Sequence, residues 1–565
     1  MKFTLTEEQK KAIKLFKGGT PKLCIEAKAG ASKSFTIKEC CCSSPERSYM
    51  ILAFNDAIAK EMARSIKSHA KSKGIKLRNV EAKTWHSLAW RYVVTPNGYN
   101  VGGSLKHWII KKEYNTSNYV AGDAIRLLEM YFNSDVASKL ITPDAFQDFN
   151  VDKKTKVVVF TLANKILTDM RQKKRDITHS FYLKEFHLKV LNNEVKFNNI
   201  DTLILEEAQD CNLLQASIIN HANVKQKLIV GDRDQSIYGW RGASNFFETL
   251  DDTWERTYLT KSFRCKPEVA EKADWLLRYF KQRKEKFVGF DREIPDEDNT
   301  HAFLSRTNSG LIKAIAKCYA DAIPMKTTRD PNEIFSVITD ISFIGNENYK
   351  PKNPYIKEVY KDYQTYKDEN NKPNMTFIAF IEQRLDDDLD RELKIASKIL
   401  LQLISNDISP LDLKKFAISM NDDKELIPDI ILSTAHTSKG LEFRRVTLAD
   451  DFPKISEIMF KIIKNEVTEE LFDFVSHEMF QQMSIEQAQE VVFDFLNKII
   501  TDDWIYTTYV KNIQDHSRKD LQYHIEEINL LYVAITRAKE FVNFEVPDLY
   551  EIFADVRKEI VEYFL

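Results

Sequence analysis

Apolar residues in this chain recur as short runs with polar ends: K-L-C-I-E-A at 22–27, S-Y-M-I-L-A-F at 48–54, L-I-L at 203–205 and Q-K-L-I-V-G at 226–231. Such runs predict strands buried on both faces, as in a parallel sheet. Helical spacing fills the gaps. Residues 5–16 open on a Thr6 N-cap, carry Gln9, and are ended by Gly18, Gly19 and Pro21. A strand, turn and amphipathic helix over 48–62 place Phe54 and Asn55 at the turn, and 79–92 repeats the plan with Thr84, Trp85 and His86 at a strand end.

Later segments continue the alternation. Residues 256–264 are predicted as a strand ending in Phe263 and Arg264, 301–307 as another, 429–452 as strand, loop and strand. Residues 525–539 form a helix or helix-like turn carrying Arg537 and Lys539, and 541–546 close a sheet. Polar, mainly helical stretches at 93–186, 331–427 and 455–520 have the character of insertions. The expected fold class is therefore α/β, with mainly helical insertions.

The chemistry concentrates at L-I-L-E-E-A-Q-D, 203–210, where a buried strand runs into acids. In open α/β sheets ligands bind outside the carboxyl ends of the strands. Glu206 and Glu207, adjacent in an extended chain, would point to opposite sides, so that one serves a metal and the other a water. A solvated acidic turn is the alternative for this stretch alone. A second element is A-K-A-G-A-S-K-S at 27–34, between a strand and a helix. Small residues let backbone N–H groups close on phosphate oxygens, with Lys33 reaching phosphate and Ser34 a Mg²⁺ ion. It departs from G-x-x-x-x-G-K-[ST]: Ala27 and Ser32 replace the glycines, and a merely structural loop is the alternative.

Composition narrows the possibilities. At 565 residues the chain exceeds one core, and 43% hydrophobic with 29% charged residues is ordinary for globular protein. The net charge of −2 means that a nucleic-acid site must be a local basic groove rather than a global field. Basic runs such as R-Q-K-K-R at 171–175 are by themselves solvated faces as readily as ligand sites. The N-terminus has no apolar signal core and no stretch is long enough to span a bilayer, so an intracellular, soluble protein is expected. The seven cysteines, three of them at 40–42, lack paired C-x-x-C spacing and are expected as reduced packing residues.

Taken in order, these motifs resemble the superfamily 1 helicases of the UvrD/Rep type. E-E-A-Q-D resembles that family's D-E-x-Q-D box. G-D-R-D-Q-S-I-Y-G-W-R-G-A at 231–243 and L-L-Y-V-A-I-T-R-A-K at 530–539 resemble its third and sixth motifs. T-A-H-T-S-K-G-L-E-F with L-A-D-D-F is similar to the F-box DNA helicase branch. The resemblance implies two RecA-like cores, one from 1–92 and 187–250 and a second from 251–330, 428–454 and 521–565, with ATP in the cleft between them and single-stranded DNA across their tops. It implies that Gln9 reads adenine, that Ala29, Gly30, Ala31, Ser32, Lys33 and Ser34 cradle phosphate, and that Ser34 and Glu206 hold Mg²⁺. Glu207 would polarise water, Gln235 would sense the γ-phosphate, and Arg264 and Arg537 would stabilise charge. Phe263 would stack on the base and Glu442 bind the ribose. Phe54 and Trp240 would stack on DNA bases, with Asn55, Thr84, His86, Thr434 and His436 as further DNA contacts.

The activity implied is an ATP-dependent DNA helicase or translocase moving 3′→5′ and binding duplex/single-strand junctions. The alternative is a DNA-stimulated NTPase subunit that gates a partner nuclease in a repair or defence complex. An inactive structural module is disfavoured by Lys33, Glu207 and Arg537. Ser32, where the family has glycine, requires a backbone angle tolerable to a side chain, and Glu206 is one methylene longer than the family's aspartate.

Overall fold

The computed structural model describes residues 4–53, 56–152, 154–239, 245–344, 349–365, 375–384, 391–475, 483–515 and 518–564. Phe54, Asn55, Trp240 and Arg241 lie outside the described residues. The chain divides into two units, Met1–Lys261 and Ser262–Leu565.

In the first unit β1 (Lys22–Ala27), β2 (Ser48–Ala53), β3 (Asn79–Thr84), β4 (Thr202–Glu206), β5 (Gln226–Gly231) and β6 (Glu255–Leu259) form one sheet in the order β3-β2-β4-β5-β1-β6. Every pairing is parallel. Side chains alternate between two cores, as strand geometry requires. Leu23, Ile25, Tyr49, Ile51, Ile204, Leu228 and Val230 pack with Ala12 and Phe16 of α1 (Glu7–Lys17) and Ile37, Cys40 and Cys41 of α2 (Lys33–Ser43). Cys24, Met50, Leu52, Leu203, Leu205 and Ile229 pack on the other face against helices that include Asn118–Asn133, Lys156–Arg171 and His179–Leu191. Each fully buried Leu or Ile contributes ~1.5–3 kcal/mol. The helices over 107–191 thus share a core with the sheet.

One boundary differs from expectation. The strand expected at 256–264 in the second core is Glu255–Leu259, and it pairs with β1 from Leu23↔Glu255 to Ala27↔Leu259. Burial explains the allegiance: β6 covers what would otherwise be the open edge of β1, and Thr257 and Leu259 are both 2% exposed. Phe263 and Arg264 follow this strand and lie in the second unit.

The second unit has its own parallel sheet, with β7 (His301–Ser305), β8 (Met325–Thr327), β9 (Ile430–Thr434), β10 (Phe443–Leu448) and β11 (Ala538–Val542) in the order β11-β10-β7-β9-β8. The helices of 336–422 pack with Met325 and Leu432 in one apolar cluster. Ile455–Val475, Ile485–Ile499 and Asp502–Gln514 intervene between β10 and β11. The closing strand begins at Ala538, three residues earlier than 541, because Ala538 pairs with Phe443. The architecture is thus two parallel α/β sheets with many flanking helices. All seven cysteines are buried free thiols, their pKa values pushed up by burial. Among the described residues no helix is long and apolar enough to cross a membrane.

At the amino edge of the first sheet, Asp201 ties several strand starts together. It accepts from Lys225 Nζ at 2.8 Å, from Ser48 N at 3.0 Å and Ser48 Oγ at 2.8 Å, and from Arg78 at 3.4 Å. The Lys225 and Ser48 hydrogen bonds hold its carboxyl well below the usual carboxylate range. A depressed folded-state pKa stabilises the fold above the unfolded value of ~3.9 and loses that contribution as pH falls below it. Asp201→Asn should therefore cost ~1–3 kcal/mol at pH 7. The gap to the parent should narrow below about pH 4, as read by urea unfolding across pH.

Candidate nucleotide site

The register brings the carboxyl ends of β1, β4 and β5 level, with Glu206 opposite Val230 and Glu26 opposite Gly231. Three loops leave this edge. The first runs from Ala27 to Lys33, where α2 begins. Gly30 (φ 71°) and Ser32 (φ 60°) are both in the left-handed region, so the backbone curls tightly although Ser32 carries a side chain. That conformation costs a non-glycine residue about 1–2 kcal/mol. Ala29 and Ala31 are buried.

The second loop carries the acids. Glu206 ends β4, and Glu207 stands at φ 55°, ψ 48°. The expectation that the two side chains diverge from an extended chain is corrected here. The left-handed turn brings Glu207 back toward the start of α2, so that both acids reach that helix: Lys33 Nζ lies 2.6 Å from Glu207 Oε2, and Ser34 Oγ donates to Glu206 Oε1 at 2.7 Å. Burial and then the charge of Glu207 raise the Glu206 pKa. Burial disfavours the Lys33 ammonium, but the carboxylates of Glu207, Asp232 and Glu206 outweigh it and hold that pKa above its ordinary value.

The third loop follows β5. Gln235 Nε2 donates to Asp232 Oδ2 at 2.8 Å. Gln209, fully buried, joins this loop to the acids: its Nε2 donates to Glu207 Oε2 at 2.6 Å and its Oε1 accepts from Asp232 N at 3.1 Å. Lys28 of the phosphate loop forms a buried ion pair with Asp234 at 3.2 Å. Gln9, the N3 residue of α1, is locked by its capping box with Thr6 and donates to Thr36 Oγ1 of α2 at 3.3 Å. Gln9, Lys33, Ser34, Glu206, Glu207 and Gln235 therefore surround one sheet edge. Ser34 and Glu206 offer hard oxygen donors 2.7 Å apart, the donor type that Mg²⁺ takes along with water and phosphate oxygens.

In the second unit the residues expected at the nucleotide also gather. Arg264 donates from Nε to Glu442 Oε2 at 2.9 Å and from NH1 to Thr536 O at 3.2 Å. Glu442 also pairs with Lys539 at 3.4 Å. Against burial, Arg264 and Lys539 hold the Glu442 carboxyl below its ordinary range. Arg537, 1% exposed, follows the helix Gln522–Ile535 and donates to Val533 O and Leu441 O, placing a cation where helix carbonyls lack partners. Phe263 packs against Phe290.

Of the residues expected at DNA, Thr84 is an N-cap whose hydroxyl accepts from Ser87 N, and the exposed His86 ring meets His179 and Tyr182 edge-on. Thr434 is buried against Thr437, and His436 is half-buried. Sequence reading overlooked Gln209 and the Lys28–Asp234 pair. Gln209 sat inside the E-E-A-Q-D box and could have been noticed as a polar residue in a buried context. Nothing local distinguishes Lys28 from a loop lysine.

Residues 5–253 match the UvrD/REP helicase N-terminal domain, and 277–543 match the UvrD-like helicase C-terminal domain. The chain belongs to the UvrD-like helicase family. Among relatives, F-box DNA helicase 1 of Gallus gallus is 26% identical over 79% of this chain and 45% of that protein. F-box DNA helicase protein 1 of Schizosaccharomyces pombe is 24% identical over 81% of this chain and 54% of that protein. The chain thus spans about half the length of these curated relatives. A probable DNA helicase II homolog of Mycoplasma pneumoniae is 24% identical over 60% of this UvrD-like chain and 53% of its own length.

Gly231 leaves room for this network. A Cβ there would stand 2.2 Å from Gln209 Oε1 and 3.0 Å from Ala208 N. Gly231→Ala should expel the Gln209 amide and destabilise the first unit by ~1–3 kcal/mol, measured by urea unfolding.

Proposed function

We propose that this UvrD-like chain is an ATP-dependent DNA helicase or translocase that binds single-stranded DNA and moves 3′→5′. The observation that carries this reading is the contact of Lys33 with Glu207 and of Ser34 with Glu206 at a left-handed phosphate loop. Lys33 binds the β- and γ-phosphate oxygens, which compete with Glu207 for the ammonium. Glu207, released from Lys33, orients a water and accepts its proton as the water attacks the γ-phosphorus and the bond to the bridging oxygen breaks. Gln235 senses the γ-phosphate. Ser34 and Glu206 hold Mg²⁺, which when bound neutralises phosphate charge.

The same reading gives Arg264 and Arg537 a share in stabilising phosphate charge, and Phe263 and Glu442 a share in holding base and ribose. Thr84, His86, Thr434 and His436 contact DNA, as do Phe54, Asn55 and Trp240, which lie outside the described residues. Exposed aromatic faces bind single strands at ~1–3 kcal/mol per base without reading sequence.

Three experiments test the proposal. Lys33→Ala should lower DNA-stimulated ATP hydrolysis by about 100-fold or more while circular dichroism is unchanged, since the ammonium serves phosphate charge rather than packing. Glu207→Gln should bind a non-hydrolysable ATP analogue as tightly as the parent or more so, and lose turnover. Parental turnover in either variant counts against the site. For the motor, the parent should open a duplex with a 3′ single-stranded tail and leave a 5′-tailed duplex closed. DNA-stimulated hydrolysis without opening of either would favour the reading of a subunit that gates a partner.

A further inference from the structure

The turn that carries Gln235 is tied to the phosphate loop by one ion pair, Lys28 with Asp234, and to β1 by a second, Glu26 with Arg233. Lys28 Nζ meets Asp234 Oδ2 at 3.2 Å with both side chains buried, Asp234 completely. Glu26, one residue before Ala27 on β1, meets Arg256 at 3.2 Å and Arg233 at 3.7 Å. Arg233, Asp234 and Gln235 are consecutive in one turn of 3₁₀ helix, which Asp232 caps by accepting from Asp234 N. The phosphate loop is itself held to the sheet by Lys28 N donating to Leu259 O.

We propose that Lys28 is a positioning residue for Gln235: its buried pair with Asp234 makes the phosphate loop and the 232–235 turn move as one body. The inference rests on the reading of 27–34 as the nucleotide's phosphate loop. Removing one partner of a buried pair leaves an uncompensated charge, so the two loops cannot separate without taking the buried Lys28 ammonium from its aspartate. Displacement of the phosphate loop by a nucleotide is then passed to Gln235 and, through Asp232 and Gln209, to Glu207.

The test is a double-mutant cycle on ATP turnover at saturating ATP and DNA, with nucleotide affinity measured separately on a non-hydrolysable analogue. Lys28→Met should lower kcat by about tenfold, within the coupling range of residues sharing one network, and leave analogue affinity within a few-fold of the parent. In a Gln235→Ala background the same substitution should have little further effect. Equal losses in both backgrounds, or no loss in the parent, overturn the proposal. Should Lys28→Met fail to fold, Lys28→Met/Asp234→Leu, which removes both charges of the pair, takes its place in the cycle.

Amide hydrogen exchange without nucleotide supplies a readout independent of activity. Lys28→Met should speed exchange across 231–237 by about tenfold or more while the helix Asn118–Asn133 is unaffected. Unchanged exchange overturns the proposal whatever the parent hydrolyses. A parent that hydrolyses no ATP but shows the exchange change overturns the functional reading alone.

Discussion

A parallel sheet covered on both faces has little room for charge except at its strand ends, and the first unit is built under that constraint. The middle residues of β1, β2 and β4 are uncharged and alternate between two cores. Glu26, Glu206 and Glu207 come at the last residues of β1 and β4 and just beyond. There, the carbonyl ends of the strands give way to loops whose N–H groups and the start of α2 favour anions. The contact of Lys33 with Glu207 is the direct outcome: the lysine begins the helix that follows β1, the acid follows β4, and parallel register brings them level.

From that edge the rest of the site is a matter of cross-bracing. Gln209 bonds Glu207 and the backbone of Asp232, Gln235 bonds Asp232, and Asp234 bonds Lys28. All but the Gln209–Glu207 bond lie where little water reaches, so each of these is stronger than it would be in solvent and costly to leave unmade. Gly231 is small for the same reason, because the amide of Gln209 occupies the space of its missing side chain. Gln9 joins from another direction, its capping box fixing the first turn of α1 and its amide reaching Thr36 on the helix of Lys33.

The second unit solves a related problem with a helix end. Arg537 places its guanidinium against carbonyls of the last helical turn and of Leu441, while Arg264 reaches Thr536 O and Glu442. Cations collected there are held by backbone dipoles as well as by Glu442.

Much of this was legible from the chain alone. Runs such as L-I-L and K-L-I-V announce strands buried on both faces. A-K-A-G-A-S-K-S announces a small-residue turn between a strand and a helix, and the acids directly after L-I-L announce the end of a buried strand. All are local signals, because apolar periodicity and small-residue turns depend on neighbours in sequence. What the chain alone did not disclose was decided by contacts between distant segments. The strand at 255–259 joins the first sheet because β1 offers it an edge. Glu207 turns back because its φ is left-handed, and Arg537 is buried by the carbonyls around it. Lys28 pairs with an aspartate 206 residues away, and no pattern within either segment names its partner, since a charge carries no record of which opposite charge the fold will bring to it.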